Sequence, residues 1–225
     1  MKKEIIVTTD GSHSIAIPEM GVTYHSLHGA IQESEHVFIE AGLQYIIKDG
    51  KRPTEISILE LGFGTGLNAL LTLAAAEKNR QNIYYETIEP NPLEQELFNA
   101  LNYCSQLQPP GLQPLFNRLH ECAWDTDIAL TPWFHFKKSR TGFAGFSTER
   151  VFNLIYFDAF APDIQPELWT VTVFKKLYDN MLPGAVLTTY CSKSIVRRAM
   201  AEAGFVVEKI PGPPHKREMV RAVKR

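Results

Sequence analysis

From residue 56 onward, strand-length apolar runs alternate with helical segments, and this alternation restricts the chain to a small set of architectures. Residues 56–61 form the first apolar run and 68–77 a Leu/Ala-rich helix. Residues 84–88 read as a second strand, 92–101 as a helix with Pro92 at its first position, and 115–122 as a weaker strand. Residues 124–150 carry no clean period and read as a helix with irregular loop. A buried strand at 151–157 precedes a helix at 166–180, which stops before Pro183-Gly184. A strand at 185–190 follows, then a helix at 194–203 with Gly204 just past its end, and a strand at 205–209. Residues 211–214 form a rigid loop and 219–223 the last strand. The expected product is an α/β domain over 53–225 with a mostly parallel, seven-stranded sheet. Its last two strands have no helix between them and form an antiparallel hairpin. Residues 1–52 mix short apolar runs with turn residues (Asp10-Gly11-Ser12, Gly21, Gly29, Asp49-Gly50). They are expected to form a small strand-rich, substrate-side extension with a short helix near 29–41.

Composition removes several classes. Hydrophobic residues make up 44% and charged residues 21%, a globular balance rather than a disordered one. No apolar run is long enough to span a bilayer, and Lys2-Lys3 leads into no signal-peptide core, so no membrane partner is expected. Cys104, Cys122 and Cys191 are odd in number and far apart, which suits free thiols in a reducing cytoplasm. The histidines show no metal-ligand spacing, so no metal is expected. Net charge is −2, but it is unevenly spread: residues 193–225 carry +6 and residues 1–192 carry −8. The basic end is either a footprint for phosphates or the solvated charge of a last helix and hairpin.

The sharpest motif joins the first strand to its helix: Glu60-Leu61-Gly62-Phe63-Gly64-Thr65-Gly66-Leu67-Asn68. Glycine lets the backbone turn tightly and approach a ligand without a Cβ clash. Leu67 replaces the third glycine of the dinucleotide fingerprint, and the loop lacks the lysine of a P-loop. Glu60, directly before the glycines, suits a cationic ligand, and S-adenosylmethionine carries an ammonium beside its sulfonium. Glu60, Gly62, Phe63, Gly64, Gly66 and Asn68 are the candidate cofactor residues, with Glu89 at the end of the second strand placed to accept a ribose diol. A nicotinamide cofactor, or a turn that binds nothing, are the other readings of the loop, and a surface turn the other reading of Glu89.

Asp158-Ala159-Phe160-Ala161-Pro162 leaves the strand at 151–157. A carboxylate there faces the crevice at the strands' carboxyl ends, and Phe160 and Pro162 would stiffen its wall. N-methyltransferases often hold an amine's hydrogens with a polar residue at this place, so Asp158 is the candidate catalytic residue, against the plainer reading of a turn or helix cap. A doubly wound sheet ending in a hairpin resembles the Rossmann-like plan of class I methyltransferases.

These segments together resemble the methyltransferase part of MnmC, a bifunctional tRNA-modification enzyme, and its stand-alone relative MnmD. The resemblance rests on Gly29-Ala30-Ile31-Gln32-Glu33-Ser34 with Val37-Phe38, ELGFGTGLNAL at 60–70, Glu89-Pro90, FDAFAPDIQPELWT at 157–170, Arg197-Arg198, Gly204-Phe205 and Lys216-Arg217-Glu218-Met219. It implies methylation of the 5-aminomethyl group of 5-aminomethyl-2-thiouridine at the tRNA wobble position. It also implies substrate contacts at Glu33, Phe160, Pro162, Arg197, Lys216 and Arg217, and a separate oxidase or modification complex as supplier of the aminomethyl group, since no oxidase part is expected after Arg225. Ser194 and His215 stand where the family pattern leads one to look for glycine. The rival readings are a methyltransferase of the same fold acting on a protein or small-molecule amine, and a non-catalytic RNA-binding module.

Overall fold

The computed structural model describes residues 2–48 and 53–225. An eight-stranded sheet forms its centre. In chain order the strands are β4 (Glu55–Leu61), β5 (Asn82–Ile88), β6 (Ile128–Thr131), β7 (Phe134–Ser139), β8 (Phe152–Phe157), β9 (Met181–Thr189), β10 (Val206–Pro211) and β11 (Glu218–Val223). The spatial order is β10-β11-β9-β8-β4-β5-β7-β6. Pairs β4–β5, β4–β8, β5–β7 and β8–β9 are parallel. The β6–β7, β9–β11 and β10–β11 pairs are antiparallel, so the expected C-terminal hairpin is present. A separate three-stranded sheet, β1 (Glu4–Val7), β2 (His13–Ile17) and β3 (Val22–Thr23), forms the N-terminal extension.

The strands' two-residue period divides the core. Ile56 and Ile58 of β4 face one side with Tyr85, Leu154 and Tyr156, and there they meet Leu70 and Leu73 of helix α3 (Leu67–Asn79). Leu59 and Leu61 face the other, with Ile155 and Phe157, against Phe174 of α7 (Val171–Asp179) and Met200 of α8 (Ser194–Glu202). Burial on both faces is what a parallel sheet requires. A helical segment also joins the first side. It runs as α1 (Ala30–Ser34), a π-helical stretch (Glu35–Gln44) and α2 (Tyr45–Lys48). Val37, Phe38 and Leu43 are its buried anchors. A Cβ at Gly42 would stand 3.2 Å from the Tyr156 ring, so a side chain there would push the segment off the sheet. The expected helix at 29–41 is thus longer, while the Asp49-Gly50 turn and the expected domain boundary after residue 52 lie outside the described residues.

Four local expectations need correction. Residues 115–122 are not a strand but most of helix α6 (Leu112–Glu121), because Leu112, Phe116 and Leu119 recur at helical spacing and bury one face. Residues 124–150 hold the β6–β7 hairpin, which raises the strand number from seven to eight; Phe134, Phe136 and Lys138 alternate inward. The helix expected at 92–101 shrinks to α4 (Gln95–Asn99), followed by α5 (Tyr103–Leu107), because Asn91 donates its backbone N–H to Glu89 and holds the Pro92 turn out of the helix. Pro166–Leu168 is a separate 3₁₀ turn before α7, whose first turn is capped by the Thr170 hydroxyl accepting from the Val173 N–H.

Candidate active site

Strands β4, β5 and β8 end in register, with Leu61 beside both Ile88 and Phe157. The chain leaves them at Gly62, Glu89 and Asp158, and backbone bonds knit these exits together. Gly62 N–H donates to Ile88 O at 3.1 Å and Asp158 N–H to Leu61 O at 3.1 Å. Above them opens a cleft of about 1470 Å³, lined from the far side by the N-terminal extension and the 211–216 loop. This is the carboxyl-end crevice where such sheets bind ligands.

The glycine loop is tightly specified. Gly62, Gly64 and Gly66 all have positive φ, at 96°, 49° and 74°. A Cβ at Gly62 would lie 2.7 Å from the Asp158 carbonyl oxygen, and one at Gly64 would lie 3.0 Å from the Tyr24 ring. Glu89 ties the loop to β5: one carboxyl oxygen accepts from Gly64 N–H at 3.0 Å and the other from Asn91 N–H at 2.8 Å. Each oxygen keeps a second lone pair, so the carboxylate can still take a diol. Thr65 is held from two sides. Its Oγ1 lies 2.7 Å from Nε2 of His25, just after β3, and its carbonyl oxygen lies 3.1 Å from Nε2 of His120 on α6. Burial pushes His25 down to about 4 and His120 down to about 3, so both rings are neutral near pH 7.

Asp158 faces Asn68 across the cleft floor. Asn68 Nδ2 donates to its carboxyl at 2.8 Å, which fixes the acid against the first turn of the glycine-loop helix. Asp158 opens only narrowly to the cleft and is otherwise enclosed by protein, and this burial, followed by the charge of Glu33, raises its pKa well above the carboxylate range. Glu33 is also raised by burial, while its carboxylate accepts the Ser26 N–H at 2.8 Å. Lys216 completes the group: burial lowers its pKa, Glu33 and Asp158 oppose that, and its ammonium sits 4.5 Å from the Tyr190 ring centre. Tyr190 donates to Ala159 O at 2.9 Å and Trp169 Nε1 to Phe160 O at 2.8 Å, so two aromatic residues fix the backbone just after Asp158. Phe160 meets Tyr24 edge to face at 5.3 Å. The result is a pocket with two carboxyls, one lysine and aromatic walls, a set of groups able to hold an amine and take its proton.

The placement of the sequence candidates is uneven. Gly62, Phe63, Gly64, Asn68, Glu89, Asp158, Phe160, Glu33 and Lys216 all line the cleft. Glu60 does not: it is 0% exposed beneath the loop, because the period of β4 turns it to the face of Ile56 and Ile58. Its polar neighbours are Thr87, Asn68 and Tyr85, neither carboxyl oxygen completes a hydrogen bond in this conformation, and burial holds it up to about 7. Gly66 also lies behind the wall, against His120. Pro162, Arg197 and Arg217 stand outside the lining. The Arg197 guanidinium is turned onto its own helix start, donating to Ser192 O and Ser194 Oγ. His120, Tyr190, Tyr24 and His25 also build the site and lie outside the sequence candidates. Tyr190 directly follows a strand end and could have been found by the rule that selected Asp158. The other three carry no local signal, since their partners are distant in sequence.

Among the described residues, no helix is long and apolar enough to cross a membrane. The sequence model of a family described as S-adenosyl-L-methionine-dependent methyltransferase matches residues 140–225. The tRNA 5-methylaminomethyl-2-thiouridine biosynthesis bifunctional protein MnmC of Burkholderia mallei is 31% identical over 234 aligned positions, covering 96% of this chain and 34% of that protein. The MnmC of Burkholderia multivorans is 30% identical, covering 92% of this chain and 33% of that protein. The chain thus spans about a third of the length of the curated relatives it matches. Among solved structures, MnmC2 from Aquifex aeolicus superposes with a TM-score of 0.82 over all of this chain and 70% of the other, at 24% identity, which shows the shared fold.

Proposed function

Because the chain belongs to the family of S-adenosyl-L-methionine-dependent methyltransferases that includes the methyltransferase part of MnmC, we propose that it methylates the aminomethyl nitrogen of 5-aminomethyl-2-thiouridine in tRNA. The observation that carries this reading is the contact between Asn68 and Asp158, which puts a carboxyl and the glycine loop on one wall. The residues present fit the cofactor. Gly62 and Gly64 turn bare backbone toward the cleft at positive φ, and Glu89 offers a carboxylate at the end of β5. When bound, S-adenosylmethionine supplies an electrophilic methyl group on sulfur.

The chain's own residues then handle the amine. A primary ammonium entering the pocket meets the carboxyls of Asp158 and Glu33, and its charge favours their ionised forms. Asp158 accepts an N–H of the amine and takes the proton that must leave nitrogen, while Asn68 keeps its carboxyl in place. The freed nitrogen lone pair would then face the glycine-loop side of the cleft, where bound S-adenosylmethionine would supply the methyl group. Phe160, Tyr24 and Tyr190 supply aromatic walls against which the amine is oriented, and alignment supplies much of the rate in such a transfer. Lys216 and the basic segment 193–225 are the candidate contacts for RNA phosphates. A cytoplasmic setting and a separate supplier of the aminomethyl group follow from the same reading. The proposed domain division follows it too: residues 1–52 act on the substrate side, 53–225 hold the cofactor.

The test offers labelled S-adenosylmethionine and three acceptor pools: under-modified tRNA, total protein and small amines. Label confined to tRNA supports the reading. Label in protein or small amines with none in tRNA replaces it with the corresponding N-methyltransferase.

A further inference from the structure

His215 is one of four described non-glycine residues with positive φ, at 67°. A histidine in this left-handed region costs about 1–2 kcal/mol, and such strain persists where something else over-determines it. Here the ring of His215 stacks on that of His28, centroid to centroid at 4.2 Å with 23° between planes. Both residues are exposed, and both line the mouth of the active-site cleft. Neither ring belongs to a floppy segment. Next to His28, the Leu27 carbonyl accepts from Thr9 N–H at 2.9 Å, and the Ser26 N–H bonds Glu33 at 2.8 Å. On the other side, Lys216 N–H donates to Pro213 O at 2.9 Å, and His36 Nε2 lies 2.9 Å from Pro211 O.

We propose that His28 and His215 form a preorganised stacking platform for a nucleobase that flanks the modified nucleotide of the substrate RNA. This rests on the proposed RNA-directed function and adds a subsite to it. Three observations point to a base rather than another ligand. The rings are flat, solvent-open and held before any ligand arrives, which lowers the ordering cost of stacking. His215 directly precedes Lys216, whose ammonium reaches the pocket, so the platform adjoins a cation of the same cleft. Lys3 and Arg140 also line the cleft and offer cations to the backbone, between the exposed carboxylates of Glu94, Glu96 and Glu167. Single-stranded bases splayed on aromatic planes are the usual way proteins grip a nucleotide they must reach.

The experiment uses the full chain, with tRNA and S-adenosylhomocysteine as separate probes. His215→Gly removes a ring while suiting the positive φ, so the loop keeps its shape; His28→Ala removes the other. The rings cover each other's inner faces and a base meets one outer face, so at least one variant is expected to weaken tRNA binding by roughly 5- to 140-fold, the range for losing one base–aromatic stack. S-adenosylhomocysteine affinity stays unchanged, and His28→Phe restores RNA binding. The log–log salt dependence of the ring-less variants keeps the wild-type slope, because stacking releases no counterions. If wild type binds RNA and both ring-less variants bind as tightly, the platform is wrong and the functional reading stands. If wild type binds S-adenosylhomocysteine but no RNA, the functional reading falls and takes the platform with it.

Discussion

The His25 imidazole and the Thr65 hydroxyl lie 2.7 Å apart across 40 residues of sequence, joining the N-terminal sheet to the glycine loop. The extension therefore supports the glycine loop as well as forming a wall of the cleft. His25→Ala leaves the buried Thr65 hydroxyl without this partner, and losing such a partner costs about 1–3 kcal/mol. The expected result is at least about fivefold weaker S-adenosylhomocysteine binding by calorimetry. Affinity within twofold of wild type would detach the extension from the cofactor site.

The same residue sets a pH dependence. Burial depresses His25 to about 4 in the fold, against about 6.5 when unfolded, so protons bind the unfolded chain first. Its contribution is full above pH 6.5 and is lost as pH falls toward 4. Urea unfolding followed across this window should show a shallower acid loss for His25→Gln than for wild type. Parallel curves would mean that the ring takes up its proton equally in the folded and unfolded chain.

Glu60 runs the other way. Its carboxyl is raised to about 7 by burial, so its contribution is full below the unfolded value near 4.5 and is lost as pH rises through 7. Glu60→Gln keeps the shape without the titration. It should raise Tm relative to wild type at pH 8, with the gain shrinking toward pH 5. A variant less stable than wild type at pH 8 would show that Glu60 is held ionised by partners.

Gly62→Ala meets the Asp158 carbonyl at 2.7 Å and also needs a left-handed alanine. Its expected cost is about 1–3 kcal/mol of stability, together with a displaced Asp158. Thermal unfolding and turnover should both fall. An unchanged Tm would mean that the strand exits are looser than their hydrogen bonds imply.

Lys216 and Arg217 separate the pocket from the surface. Lys216 lines the cleft and Arg217 does not. If both contact phosphates, each alanine variant flattens the log–log salt dependence of tRNA binding by about one unit. Only Lys216→Ala should also reduce kcat. A fall in kcat with Arg217→Ala alone would reverse the assignment.

The features legible in the sequence were those written locally. The glycine loop, the acids after β5 and β8, and the C-terminal hairpin all announce themselves by spacing or by the rule of carboxyl ends. Leu112, Phe116 and Leu119 were legible too, but the short run 115–122 hid their helical period. The β6–β7 hairpin was missed because Lys138, buried with its ammonium donating to His120 O, looks like a surface residue in a list of letters. Glu60 reads as a ligand because it adjoins the glycines, yet strand alternation sends it under the floor. His215 raised a question that φ answers: the loop does demand a glycine-like conformation, and a histidine adopts it. Ser194 raises no such strain; it sits in the first turn of α8 and accepts from Arg197.

The most direct test of the account is nucleoside mass spectrometry on tRNA carrying 5-aminomethyl-2-thiouridine, incubated with the purified chain and S-adenosylmethionine. The account predicts conversion to 5-methylaminomethyl-2-thiouridine by the wild type. For Asp158→Ala it predicts a turnover loss of about 10²–10⁴-fold, with S-adenosylhomocysteine affinity within a few-fold of wild type. No methylated uridine from a cofactor-binding wild type would contradict the assigned reaction, and near-normal conversion by Asp158→Ala would contradict the site.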